Sequence, residues 1–205
     1  MKTNILVAPE LIVVDVEGNG QSPPDLVEIA IMRMNFPMPP VNEVKAWKIR
    51  PPRPVIPRVA RLHGLTNKLL ASEPLWEDVM EEVHSALGDR WLIGHNAKTE
   101  LDVIGRHLPS WNPAGVLDTL KMSRAIWPNL TSHSLDSLIA HCDLPVNLLP
   151  QERHRAAFDV YATGMIFLRL FESMPDPTWE SICAVGRIDK PGNEQQNYGV
   201  QETLW

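Results

Sequence analysis

The chain has 205 residues, 44% of them hydrophobic, and a formal net charge of −6. That length suits one domain, with or without a tail, and supports a core of ordinary size. The acidic balance argues against sequence-independent wrapping of duplex nucleic acid, which needs Lys and Arg to neutralise phosphates, but leaves room for clustered carboxylates that bind divalent cations. No window approaches the roughly 18 apolar residues of a membrane span. Lys2 is followed by a short apolar run that Pro9 and Glu10 interrupt, so no secretory signal is expected and a cytoplasmic location is. Cys142 and Cys183 form neither a CxxC pair nor a zinc spacing, and read as free thiols of a reducing compartment.

In chain order, residues 10–17 form a dense β-branched run that ends in acids, a buried strand with Asp15 and Glu17 at its exit. Gly18, Asn19, Gly20, Ser22, Pro23 and Pro24 make a turn cluster. Residues 26–34 and 44–49 read as second and third strands, and short links between the three suggest an antiparallel meander. The proline-rich stretch 50–57 reads as an irregular connection. Thr66 can cap a short helix, and residues 76–87 carry apolar positions at helical spacing up to Gly88. A short strand over 91–93 leads into Gly94, His95 and Asn96, then a helix over 97–107. Val116 and Leu117 form a strand running into a helix over 118–126, and Ser134 caps another to about 142. Pro145 to Pro150 read as loop, and a long helix spans 154–172. Beyond it lie a short helix near 178–185 and a polar, irregular tail. Three strands followed by alternating helices and strands give an α/β layered fold with a mixed sheet.

Four constellations could carry chemistry. Asp15 and Glu17 stand at i and i+2 of a strand, so both carboxylates face one side. Two such groups at a buried strand end repel each other unless a cation lies between them, and hard oxygen ligands select Mg²⁺ or Mn²⁺. The same pair also suits two solvated acids before a turn. Gly94-His95-Asn96-Ala97 precedes a helix start with Glu100 and Asp102. His154 precedes Asp159 by five residues at a helix beginning, where an imidazole can approach an acid or simply cap the helix. Leu62-His63-Gly64-Leu65-Thr66 alone is only a turn.

Together and in this order the pieces resemble the DEDDh exonucleases, the family of bacterial proofreading subunits and ribonuclease T, and within it the exonuclease X branch. The resemblance covers roughly residues 10–172. It rests on Asp15-Val16-Glu17-Gly18, Val27-Glu28-Ile29-Ala30, residues 61–66, Gly94-His95-Asn96-Ala97, residues 118–128 and residues 154–159. It implies a ribonuclease H-like domain with a mixed five-stranded sheet, three strands antiparallel and two parallel, and a tail over 173–205. It implies two divalent ions, Mg²⁺ or Mn²⁺, held by Asp15, Glu17, Glu100 and Asp159, with Asp15 bridging both, and His154 as general base. The substrate would be nucleic acid with a free 3′ end, DNA favoured over RNA, contacted by Gly18, His63, Gly64, Leu65, Thr66, His95 and Asn96, with Leu65 against the terminal base. The polar stretch Gly192–Trp205 could serve a homodimer or another protein partner.

One position departs from the family pattern. An aspartate usually stands five residues after the histidine of His-Asn-Ala; here that place holds Glu100, with Asp102 two residues on. The family sets hydrophobics three and four residues after the acid. Val103 and Ile104 fit Glu100, whereas Gly105 and Arg106 do not fit Asp102. Two positions along a helix turn it by about 200°, so one acid at most faces the site, and the pattern selects Glu100. A glutamate there also leaves open a catalytically impaired binding module. Trp47, Trp76, Trp111 and Trp127 could stack on bases but suit the core better. Arg50, Arg53, Arg58 and Arg61 either line a substrate entry or form a solvated basic loop.

Overall fold

The computed structural model describes residues 9–36, 43–145 and 154–189. The chain runs β1 (Leu11–Gly18), β2 (Leu26–Met34), β3 (Val44–Lys48), α1 (Pro57–His63), α2 (Asn67–Leu70), α3 (Trp76–Leu87) and β4 (Trp91–Gly94). It continues through α4 (Lys98–His107), β5 (Gly115–Asp118), α5 (Thr119–Ile126), α6 (Leu135–His141), α7 (Ala156–Glu172), α8 (Trp179–Gly186) and β6 (Arg187–Ile188). The strands form one sheet in the order β3-β2-β1-β4-β5-β6. The meander is antiparallel, β4 runs parallel to β1, and β5 runs parallel to β4.

The sheet has six strands rather than five. β6 pairs antiparallel with β5, Val116 opposite Ile188 and Leu117 opposite Arg187. A two-residue strand carries no periodicity to read, so tertiary pairing alone defines it. α1 is the second unanticipated element. Pro57 opens it at a position where the missing N–H costs nothing, and Gly64 closes it in the left-handed region at φ 75. The proline-rich stretch therefore ends in a helix start. Of the expected loop at Pro145–Pro150, only Pro145 lies within the described residues; the Gly192–Trp205 tail lies outside them.

Strand alternation divides the core into two layers. Leu11, Val13, Ala30, Met32, Ile93 and Leu117 face α7, against Phe158, Val160, Ile166 and Phe167. Ile12, Val14, Ile29, Ile31, Leu92 and Val116 face α3 and α4, against Val83, Leu87, Val103 and Ile104. All these residues are buried, and each fully buried aliphatic side chain stabilises the fold by about 1.5–3 kcal/mol. Covered on both faces, β1 can deliver its last residues to the sheet's carboxyl end, where ligands of open α/β sheets bind. Among the described residues, no helix is long and apolar enough to cross a membrane.

Candidate active site

The odd-numbered positions of β1 face α7, so Asp15 and Glu17 extend the row begun by Leu11 and Val13. Glu17 stands opposite Glu28 of β2 in the antiparallel register. Asp159 enters from the first turn of α7. One carboxylate oxygen from each of Asp15, Glu17 and Asp159 lies within 4.8 Å of the others.

Glu100 comes from the opposite layer. It occupies the first turn of α4 and is 4% exposed. Its Oε2 is buried and meets no hydrogen-bond donor. Gly94, at the end of β4, makes room for it. A Cβ there would come within 3.0 Å of Ala97 and 3.3 Å of the Glu100 Oε2. Glu100 stands outside the group of three, yet among neighbouring charges it acts most strongly on Asp15. Asp102 points outward and pairs with Lys98 at 3.4 Å.

The electrostatics are those of acids short of cations. Burial first, then Glu100, Asp159, Glu17 and Glu28, hold the Asp15 carboxyl well above the usual range. Burial, then Asp159 and Glu28, push Glu17 up to about 8. Burial foremost, with Asp118 and Glu17 adding to it, pushes Glu100 up to about 8. A buried carboxylate oxygen without a donor is costly in a protein interior, and a hard divalent cation is the ligand that oxygen donors in this arrangement fit.

His154 lies just before α7, exposed, with its backbone at φ 59. The loop after α1 is less accessible than its sequence suggested. His63 is buried, its Nε2 lies 3.3 Å from the Gly18 carbonyl, and its Nδ1 accepts the Leu65 N–H. Leu65 is 0% exposed and packs with Val27, Val55 and Leu70. The expected contact between Leu65 and a terminal base is therefore corrected: its side chain has no surface to offer, because α2 folds it inward. The exposed apolar neighbour is Leu62, at 59%. Gly64 and Thr66 are exposed, and Thr66 caps α2 by accepting the Leu69 N–H.

His95 is tied down as well. Its Nδ1 lies 3.0 Å from the Thr119 hydroxyl, which donates to the Gly94 carbonyl, and the ring also bonds the His133 backbone. Asp118 accepts the backbone N–H groups of Asn96 and Leu120, joining the ends of β4 and β5. Asn96 is exposed at φ 68, and its amide donates to Thr99. The tryptophans serve the fold: Trp47 donates to Glu82, Trp76 to the His107 carbonyl and Trp111 to the Gly88 carbonyl, while Trp127 packs edge-on against His141. Of the four arginines, Arg53 is paired with Asp25 at 2.8 Å and Arg50 donates to the Ala71 carbonyl, whereas Arg58 and Arg61 are exposed on α1.

A family model described as Exonuclease matches residues 12–167. The chain belongs to this exonuclease family. It is 25% identical over 182 residues to the DNA polymerase III subunit epsilon of Aquifex aeolicus, covering 85% of this chain and 86% of that protein. It is 29% identical over 184 residues to the 3′-5′ exonuclease DinG of Bacillus subtilis, where it covers 83% of this chain but spans only 19% of the relative's length. A solved structure of exonuclease X in complex with 5′ overhanging duplex DNA superposes with a TM-score of 0.69 at 26% identity, covering 85% of this chain and 98% of that one. The mixed α/β architecture matches these ribonuclease H-like exonuclease neighbours.

In this exonuclease-family chain, two groups at the site drew no role from the sequence. Glu28 is buried and paired with Arg155, and Asp118 is buried at the head of α5. Glu28 sits among apolar neighbours in the buried part of β2, which is a signal for a partnered charge, but its partner is 127 residues away in sequence.

Proposed function

We propose that the chain is a metal-dependent 3′→5′ exonuclease acting on DNA with a free 3′ end, single-stranded or frayed, and releasing nucleoside 5′-monophosphates. The observation that carries this reading is the approach of the Asp15, Glu17 and Asp159 oxygens to within 4.8 Å of one another. The donorless oxygen of Glu100 supports it. DNA is favoured because the similar exonuclease X structure is a DNA complex and the epsilon relative belongs to a DNA polymerase.

Asp15, Glu17, Glu100 and Asp159 would hold two divalent ions, Mg²⁺ or Mn²⁺, as an all-carboxylate set suits. Such ions, when bound, make water a nucleophile at neutral pH and neutralise charge at the phosphate. His154 takes the proton of the attacking water on an imidazole nitrogen, acting as general base. Its exposure lets it reach an incoming phosphate without crossing the core. Gly18, Gly64, Thr66 and Asn96 offer polar or backbone groups to the terminal nucleotide. His63 and His95 act by holding the loops that carry them.

The test is nucleotide release from a 5′-labelled single-stranded DNA oligomer, with a matched RNA oligomer alongside, in Mg²⁺ or Mn²⁺. A descending ladder on DNA that vanishes in Asp15→Ala is expected. A ladder on RNA alone would move the substrate to RNA. No ladder on either, from folded protein with metal, would overturn the catalytic reading.

A further inference from the structure

Glu28 is the most buried acid around the site, at 2% exposure, and both its oxygens are committed. Oε1 accepts from the Arg155 Nη2. Oε2 accepts from the Arg155 Nε at 3.1 Å and from the Ala156 backbone N–H at 3.1 Å. Arg155 and Ala156 are the cap and first residue of α7. The Arg155 carbonyl in turn accepts the Asp159 N–H at 3.1 Å. One β2 carboxylate therefore grips the residue that follows His154 and starts the turn that carries Asp159. The same carboxylate lies opposite Glu17 in the sheet.

Docking α7 on the sheet does not require this pair. Phe158, Val160, Ala162, Ile166 and Phe167 already bury the helix against β1 and β2. Apolar packing is nondirectional, and a helix held by it alone can rotate or slide slightly. A guanidinium fork on a carboxylate fixes distance and orientation together. It also desolvates two charges, so it is weak evidence for stability as such.

We infer that Glu28 and Arg155 are positioning residues for the reaction, a clamp from β2 to the head of α7 that sets where His154 and Asp159 stand relative to Asp15 and Glu17. The inference rests on the exonuclease reading above. It goes beyond the ligand and base assignments, because neither clamp residue needs to touch substrate.

The experiment separates positioning from stability. The double variant Glu28→Leu/Arg155→Met replaces the ion pair with apolar groups, a change that is often neutral or stabilising for buried pairs. Wild type, the double variant, Arg155→Lys and Asp15→Ala are compared for thermal midpoint, kcat and KM on a short single-stranded DNA oligomer with Mn²⁺. The double variant is expected to melt near wild type yet lose about tenfold or more in kcat, with KM within about twofold. A folded double variant with wild-type kcat would overturn the clamp. Should the double variant not fold, Arg155→Lys decides, since it keeps the charge and loses the fork: a kcat loss at unchanged KM supports positioning, and wild-type kcat refutes it. A wild type without metal-dependent activity would bring down the exonuclease reading and the clamp with it. An active wild type beside an equally active variant removes the clamp alone.

Discussion

Glu100 and Asp102 leave α4 on opposite sides. Glu100 is buried with an oxygen that meets no donor, while Asp102 is half-buried and pairs with Lys98 at 3.4 Å. If the buried glutamate is a metal ligand, Glu100→Ala forfeits a few kcal/mol of charge stabilisation, expected as a loss of about 100-fold or more in turnover. Asp102→Asn removes only a solvent-accessible i,i+4 pair worth about 0.3–0.5 kcal/mol and should leave turnover within about twofold. Steady-state rates of the two variants check this. Equal losses would mean that α4 presents its acids differently.

The acid cluster also sets a pH dependence. Glu17 and Glu100 are each pushed up to about 8, chiefly by burial, whereas an unfolded glutamate titrates near 4.3. The folded chain thus binds these protons more tightly. Their contribution to stability is complete below the unfolded value and is lost as pH rises toward about 8. Buried His63 and half-buried His95 have lowered proton affinity and act oppositely, losing stability as pH falls below about 6.5. Between about 6.5 and 8 the carboxylates dominate, so the metal-free protein should melt lower as pH rises through that window. Mn²⁺ favours the deprotonated acids, so its stabilisation should grow over the same range, with proton release on binding. Melting curves in chelator and in Mn²⁺ across roughly pH 6.5–8.5 test it; a flat metal-free profile would contradict the shifted acids.

Leu65, which the resemblance set against a terminal base, is fully buried, and Leu62 is the exposed leucine of this segment. Leu65→Ala empties a fully buried site and should cost about 2–5 kcal/mol of stability, read as a lower urea midpoint. Leu62→Ala, at an exposed position, should stay within about 0.5 kcal/mol. A Leu65→Ala variant with unchanged midpoint would show that the loop after α1 is not packed as described.

What could be read from the sequence follows from how local each signal is. The alternation of β1 placed Asp15 and Glu17 on one face. Helical spacing allowed only one of Glu100 and Asp102 to face inward, and the family's pattern of following hydrophobics, met by Val103 and Ile104, picked Glu100. α2 and α6 announced themselves through Thr66 and Ser134, whose side chains do accept first-turn N–H groups, while Asp118, read as the first residue of a helix, is instead the cap of α5. α1 was hidden because proline is both a loop residue and a helix opener, and only Gly64, just past the helix, marks the other end. The inward turn of Leu65, the tethering of His95 to Thr119 and the grip of Glu28 on Arg155 depend on chain brought together by the sheet. No local pattern encodes them.

The last strand offers a test of the sheet's far edge. Gly115 opens β5 opposite Trp91 of β4, and a Cβ there would lie 2.4–2.5 Å from three ring carbons of that tryptophan. The ring cannot move away freely. Trp179 of α8 packs edge-on against it at 4.9 Å, and the Arg187 guanidinium of β6 lies 5.7 Å from its centroid. Gly115→Ala should therefore destabilise the chain by about 1–3 kcal/mol, as overpacking does. In a Trp91→Leu background the same alanine has room, and its added cost should fall below about 0.5 kcal/mol. A double-mutant cycle by chemical denaturation measures the coupling. Additive costs would mean that the strain at Gly115 lies in the backbone rather than against the ring, and that α8 and β6 do not hold Trp91 in place.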